Sequence, residues 1–413
     1  MEHDFRARVR RALATDIQNM PALSLVESFG SPLLILEPRN IRRQYQALQR
    51  ALPMVEHHFA IKALRHSAAV AAVDECDGYF DVMTNSDVDM VKARGIDPGR
   101  CIHTNPIKRM RDIVYAFRHG LRTFVVDNYA EADKFVPYAG QVQLLVRLSF
   151  RNPEAKSDLS FKFGVPPEEA EKLVSYVRDR GLAVAGFSLH VGSQIHTAQA
   201  YVEAIEQATG LIDRVEREQG FRMTMFDIGG GFPVPYLEPA PTLAEIAAGI
   251  TPLLEPLAQR MRLLSEPGRF VVASSMTLIS EVVGKSVRNG RPWYYLDDGV
   301  YGSYSNVIFE QVTPPVIAFK ELDGDRQLPL TPSVLAGPTC DSVDVITTDC
   351  PLPALEIGDL VVSPMMGAYT WVSATEYNGI ARTPIRVVSD WDYVEDEMIS
   401  AAARQPDSIA PSR

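Results

Sequence analysis

Cysteine is scarce: 413 residues hold four, Cys76, Cys101, Cys340 and Cys350. None forms a Cys-x-x-Cys pair or stands at metal-ligand spacing from a histidine, which excludes a disulfide framework and leaves no zinc signature. Four free thiols and no metal are expected. An excess of positive charge is also missing, with 41 Lys and Arg against 52 Asp and Glu for a net charge of −11. Such a surface as a whole attracts neither nucleic acid nor an anionic membrane. No run approaches the roughly 18 apolar residues of a membrane helix. The opening residues Met1–Arg6 carry no apolar signal core. The expectation is a soluble, cytoplasmic protein. Internal repeats and low-complexity tracts are lacking as well. What is there is 46% hydrophobic and 23% charged, a globular composition in a chain long enough for two cores.

From about residue 57 to about 270, short β-rich runs alternate with helical ones. Eight candidate strands end at Phe59–Lys62, Tyr79–Asp81, Cys101–Thr104, Phe124–Asp127, Leu144–Arg147, Gly186–His190, Phe226–Gly229 and Leu263–Glu266. Helices between them have legible ends. Met110, Ile113, Val114 and Phe117 keep helical spacing before Gly120, and a second helix opens at Pro166-Pro167-Glu168-Glu169 and stops at Gly181. This alternation predicts a (β/α)8 TIM barrel, with an open doubly wound sheet as the alternative. After residue 275 the pattern turns to extended runs, such as 277–283, 293–296 and 385–388, which predict a mainly β domain. The expected division is an N-terminal segment 1–36 whose Pro32–Leu36 run joins the β domain or the barrel entry, a barrel 37–275, a β domain 276–403 and a frayed tail 404–413.

In a barrel of this kind chemistry gathers at the C-terminal strand ends, and phosphate sits on the loops after strands 7 and 8. Here those loops are Gly229-Gly230-Gly231 and Glu266-Pro267-Gly268-Arg269. A glycine triplet alone is more often a tight turn than an anion site, but successive bare N–H groups form a surface on which phosphate can rest. Other strand ends carry Lys62, Asp81, Arg147 and His190, polar residues closing apolar strands. A lysine, a phosphate cradle and an acid around one rim suggest pyridoxal 5′-phosphate, which needs an amine for its aldehyde, donors for its phosphate and an anion for its ring nitrogen.

The motifs Phe59-Ala60-Ile61-Lys62-Ala63, His190-Val191-Gly192-Ser193, Asp227–Pro233, Glu266-Pro267-Gly268-Arg269, Asp298–Ser303, Gly337-Pro338-Thr339-Cys340-Asp341 and Gly367-Ala368-Tyr369-Thr370 occur in register over nearly the whole chain. In this order the chain resembles the eukaryotic-type ornithine decarboxylases, in the fold type III, alanine-racemase-like group of pyridoxal-phosphate decarboxylases. The resemblance implies that Lys62 binds the cofactor aldehyde, its strand-end position suiting an amine whose pKa must fall. It implies that Glu266 faces the pyridine nitrogen and His190 stacks on the ring. Ser193, Gly229, Gly230, Gly231, Pro267, Gly268, Arg269 and Tyr369 match cofactor-binding positions, and Asp81 and Asp87 align with acids near the lysine, where a helix cap is an equal reading. Cys340 would return a proton to Cα across a homodimer interface, and Asp341 would bind the distal amine of a diamino acid. The implied reaction is decarboxylation of L-ornithine to putrescine or of a close diamino acid. Lysine, arginine and diaminopimelate decarboxylases share the frame, as do a racemase and a non-catalytic, antizyme-inhibitor-like binding protein. Two positions depart from the family. Phe309-Glu310 stands where an aspartate usually contacts the far end of the substrate, and Asp158 stands where close relatives have an arginine. One extra methylene moves a carboxylate by about 1.5 Å, so Glu310 is expected to tune substrate length.

Overall fold

The computed structural model describes residues 22–150, 159–322, 328–389 and 392–394. Asp158 and the tail 404–413 lie outside the described residues. Seventeen strands occur among the described residues, β1 (Leu33–Leu36), β2 (Val55–Ala60), β3 (Tyr79–Val82), β4 (Cys101–His103), β5 (Thr123–Val126), β6 (Gln143–Arg147), β7 (Ala183–Ser188), β8 (Met225–Asp227), β9 (Arg262–Ser265), β10 (Met276–Arg288), β11 (Arg291–Leu296), β12 (Ile317–Ala318), β13 (Thr331–Ala336), β14 (Val345–Leu352), β15 (Leu360–Ser363), β16 (Ile385–Ser389) and β17 (Asp392–Val394).

Strands β2 to β9 are parallel and close on themselves, with His57 of β2 opposite Ser265 of β9. Closure rules out the open doubly wound alternative. Each strand is buried on both faces, and the two faces separate into two apolar groups. Ile102, Val125, Leu145, Ala185, Met225 and Leu264, one from each of β4 to β9, form a cluster of their own. Their strand neighbours Phe124, Val126, Val146 and Phe226 belong instead to the large cluster packed against the helices. Alternation along a strand makes the first group the filling of the barrel. By the same rule Phe80 and Val82 face the helices, so Asp81 between them points into the barrel. The crossover helices end where the sequence says. Residues Met110–Arg118 form one and Pro167–Asp179 another, the latter with proline at its start.

The other strands form a sheet ordered β14-β13-β11-β10-β1-β16-β17, with β15 pairing β10 and β12. The apolar run 33–36 enters this sheet, antiparallel to β10 and parallel to β16, and takes no part in the barrel. No helix among the described residues is long and apolar enough to cross a membrane. The four cysteines are unbridged; Cys340 is exposed and the others are buried.

Candidate active site

A cavity of about 220 Å³ opens at the C-terminal rim of the barrel. Its wall is built from strand ends: Lys62 just past β2, Thr104 past β4, Arg147 at the end of β6, His190 and Ser193 past β7, Gly231 past β8, and Glu266, Gly268 and Arg269 past β9. Glu310 and Tyr369 close it from segments that follow the barrel.

Lys62 Nζ lies 3.5 Å from Asp81 Oδ2, and the lysine side chain is 37% exposed while the aspartate is fully buried. Thr104 fixes the acid by donating its hydroxyl to Asp81 Oδ1 at 2.7 Å. Burial opposes the lysine charge, yet the carboxylates of Asp81 and Glu266 and the Tyr369 hydroxyl outweigh it and hold the ammonium above its ordinary range. The strand end was expected to lower this pKa, and it does the opposite, because two acids share the pocket with the amine. Asp227, beneath them, accepts from the Gly229 N–H at 2.8 Å, and burial together with the neighbouring Glu266 charge raises its pKa well above the usual range.

His190 accepts the Gly192 N–H on Nδ1 at 3.0 Å, which assigns the ring proton to Nε2. Burial, with Arg147 and Lys62 nearby, lowers its pKa far enough to keep the imidazole neutral. Arg269, on the same cavity wall, is buried, its side chain 5% exposed. It donates Nη1–H to the Tyr236 hydroxyl at 3.0 Å, and Nη2–H to Ser193 Oγ at 3.1 Å and to Glu310. Its Nε has no hydrogen-bond partner among the described residues, and Tyr369 lays its ring 5.1 Å from the guanidinium carbon. Tyr369 holds a left-handed backbone, φ +54°, pinned by its N–H to Ala63 O at 3.0 Å. A non-glycine residue persists there only when its surroundings hold it.

The glycine triplet divides its labour. Gly231 lines the cavity. Gly229 and Gly230 do not; a Cβ on Gly229 would lie 2.0 Å from Leu189 O, and one on Gly230 would lie 2.5 Å from Glu266 O and 3.2 Å from His190 Nε2. They are bare so that the loops after β7, β8 and β9 can touch. Pro267 is also off the cavity wall, its carbonyl accepting the Ala60 N–H at 3.1 Å.

Asp87 resolves as a cap. Its Oδ2 accepts the N–H groups of Met83 and Thr84 at 3.1 and 3.0 Å, and Arg65 bonds its Oδ1 at 2.9 Å. Phe309 is 60% exposed and does not line the cavity. Cys340 and Asp341 lie apart from it on the β sheet's loops, where Asn378 Nδ2–H meets Cys340 Sγ at 3.3 Å and Tyr301 donates to Asp341 at 2.5 Å. Tyr236 and Thr104 carry polar contacts that sequence reading missed. Tyr236 is one tyrosine in a proline-rich loop, and nothing local distinguishes it; Thr104 ended a recognised strand, so its position was the available signal.

The residues present fit pyridoxal phosphate. A partly exposed lysine backed by buried acids lines the cavity together with an arginine whose Nε–H has no partner among the described residues, beside a serine hydroxyl and a glycine that leaves room for approach.

Residues 38–273 match the family model described as pyridoxal-dependent decarboxylase, pyridoxal binding domain. A crystal structure of lysine/ornithine decarboxylase from Vibrio vulnificus complexed with putrescine superposes with a TM-score of 0.82 at 40% identity, covering 89% of this chain and 97% of that one. The lysine/ornithine decarboxylase of Selenomonas ruminantium is 34% identical over 89% of this chain and 92% of its own length. Antizyme inhibitor 2 of Xenopus laevis is 32% identical over 84% of this chain and 78% of its own length.

Proposed function

The chain belongs to the pyridoxal-dependent decarboxylases, and on that footing we propose that it decarboxylates L-ornithine to putrescine, or a close diamino acid, in an active site completed by a second copy of the chain. The coarser activity, decarboxylation of a basic amino acid with pyridoxal phosphate, follows from the family and its relatives. When bound, the cofactor supplies an electron-poor ring that takes up the electron pair released as the carboxyl group leaves as carbon dioxide.

The observation that carries the reading is that Lys62, beside Asp81, and the buried Arg269 line one cavity. Lys62 is the amine for the aldehyde, and Asp81 steadies its charge before the aldehyde arrives. Glu266 is the acid assigned to the ring nitrogen, and neutral His190 offers its face to the ring. Arg269, Ser193, Gly231, Gly268 and Tyr369 hold the phosphate. Phe163 and Met83 add apolar surface to the same cavity. Cys340, exposed on one copy, gives its Sγ proton to the substrate Cα in the other, and Asp341 accepts the distal ammonium. A non-catalytic relative would be free to lose these groups, and Lys62, Gly231, Glu266, Arg269 and Cys340 are all kept.

Glu310 lines the cavity and supports a departure in substrate length. Lysine is the second reading, favoured by the lysine/ornithine decarboxylases among the relatives. Carbon dioxide release from ornithine, lysine, arginine and 2,4-diaminobutyrate by wild type and Glu310→Asp tests the assignment. Ornithine is expected to lead, with the ranking altered in the variant. No release from any of them would remove the proposal, and an unchanged ranking would remove the role of Glu310.

A further inference from the structure

Two site residues met by separate arguments turn out to be bonded to each other. Arg269 is the phosphate arginine of the proposed function, and Glu310 is the acid proposed to meet the far end of the substrate. In the structure the Glu310 carboxylate accepts from Arg269 Nη2, the same nitrogen that donates to Ser193 Oγ at 3.1 Å. A phosphate that drew on both the Ser193 hydroxyl and Arg269 Nη2 would compete with the carboxylate for that nitrogen. Two anions drawn to the same nitrogen of a buried guanidinium repel strongly where the dielectric is low.

The two partners differ in freedom. Arg269 is fixed by the Tyr236 hydroxyl, by Ser193 and by the Tyr369 ring. Glu310 hangs at the end of a single helical turn, Asn306–Phe309, with its backbone N–H on Asn306 O at 3.0 Å. Its neighbours Ile308 and Phe309 are exposed, and Gln311 beyond it turns the chain through a left-handed conformation, φ +53°. The glutamate side chain is 21% exposed against 5% for the arginine. The carboxylate can swing away without opening the core, and the guanidinium cannot.

We propose that Glu310 is an internal competitor of the cofactor phosphate for Arg269, so that seating the phosphate frees this carboxylate to meet the cationic end of the substrate. The inference rests on the assignment of Arg269 to phosphate. It gives one residue two linked tasks, and it makes cofactor affinity depend on a side chain that also faces the substrate. Because a ligand shifts such an equilibrium only by its differential affinity, removing the competing charge strengthens phosphate binding.

Equilibrium dialysis of the full-length protein against graded pyridoxal phosphate, and separately against pyridoxal, tests this, with bound cofactor read from its absorbance. Glu310→Gln keeps the shape and removes the charge. It is expected to bind pyridoxal phosphate about tenfold more tightly and to bind pyridoxal, which has no phosphate, as wild type does. Glu310→Asp, with its carboxylate drawn back by about 1.5 Å, is expected to fall between. Unchanged affinity in both variants, or an equal gain for pyridoxal, overturns the inference while leaving the proposed function standing. Failure of the wild type to bind pyridoxal phosphate at all overturns both.

Discussion

The charge on Lys62 is set by acids that reach it from other strands. Asp81 is the nearer of them, 3.5 Å away. Replacing Asp81 by Asn removes the main group holding the ammonium up, so the pKa of Lys62 moves downward. The rate at which the cofactor-free protein takes up pyridoxal phosphate, followed by absorbance against pH, should then rise at lower pH than in wild type, with turnover about 10- to 100-fold lower; an unmoved profile would contradict the ion pair. Gly229 makes a sharper claim about packing. Its φ is +70°, and a Cβ there would sit 2.0 Å from Leu189 O. Gly229→Ala is expected to cost about 2 kcal/mol or more in urea unfolding. The glycine triplet itself was easy to see in the sequence. That only Gly231 faces the cavity depends on which loops press against it, which is a long-range property.

Elements were legible where local chemistry sets their ends. All eight barrel strands stand where alternation of apolar runs put them, because parallel strands buried on both faces leave continuous apolar runs. Proline and acidic residues mark the start of the helix 167–179, and glycine marks its stop. The helix Asn85–Ala93 shows the ambiguity of an acid at a helix start. Thr84 and Asp87 form a capping box, the threonine hydroxyl accepting the Asp87 N–H at 3.3 Å and the aspartate accepting the Thr84 N–H at 3.0 Å. Thr84→Ala should therefore cost about 1 kcal/mol of stability with little loss of turnover. Urea denaturation and carbon dioxide release, measured on the same preparation, separate the two; a large loss of turnover without loss of stability would return Asp87's helix to the site.

For the whole molecule, the barrel carries an acid liability. Burial lowers the pKa of His57 to about 4 and of His58 and His103 to about 3. An unfolded histidine titrates near 6.5. Below that pH the unfolded chain binds protons that the folded chain refuses, so these groups take stability away as pH falls from about 6.5 toward about 4. The buried acids Asp81 and Asp227, whose pKa values are raised, act in the opposite sense over this range. A comparison isolates one histidine. His58→Gln should lose stability less steeply than wild type between pH 6.5 and 4.5, by up to about 1.4 kcal/mol per pH unit; equal slopes would contradict its burial as a neutral ring. The architecture as a whole was legible because each barrel unit is local, whereas the sheet order, with β1 between β10 and β16, joins residues some 240 to 350 positions apart and leaves little local trace. The same separation governs the central claim, since Lys62 stands at the barrel rim and Cys340 lies outside that cavity. Mixing full-length Lys62→Ala with Cys340→Ala, each expected to be inactive alone, tests it directly through carbon dioxide release from ornithine. If two copies share their sites, random pairing gives half the dimers one intact site, and the mixture should recover about a quarter of wild-type turnover; a mixture as inactive as its parents would contradict the account.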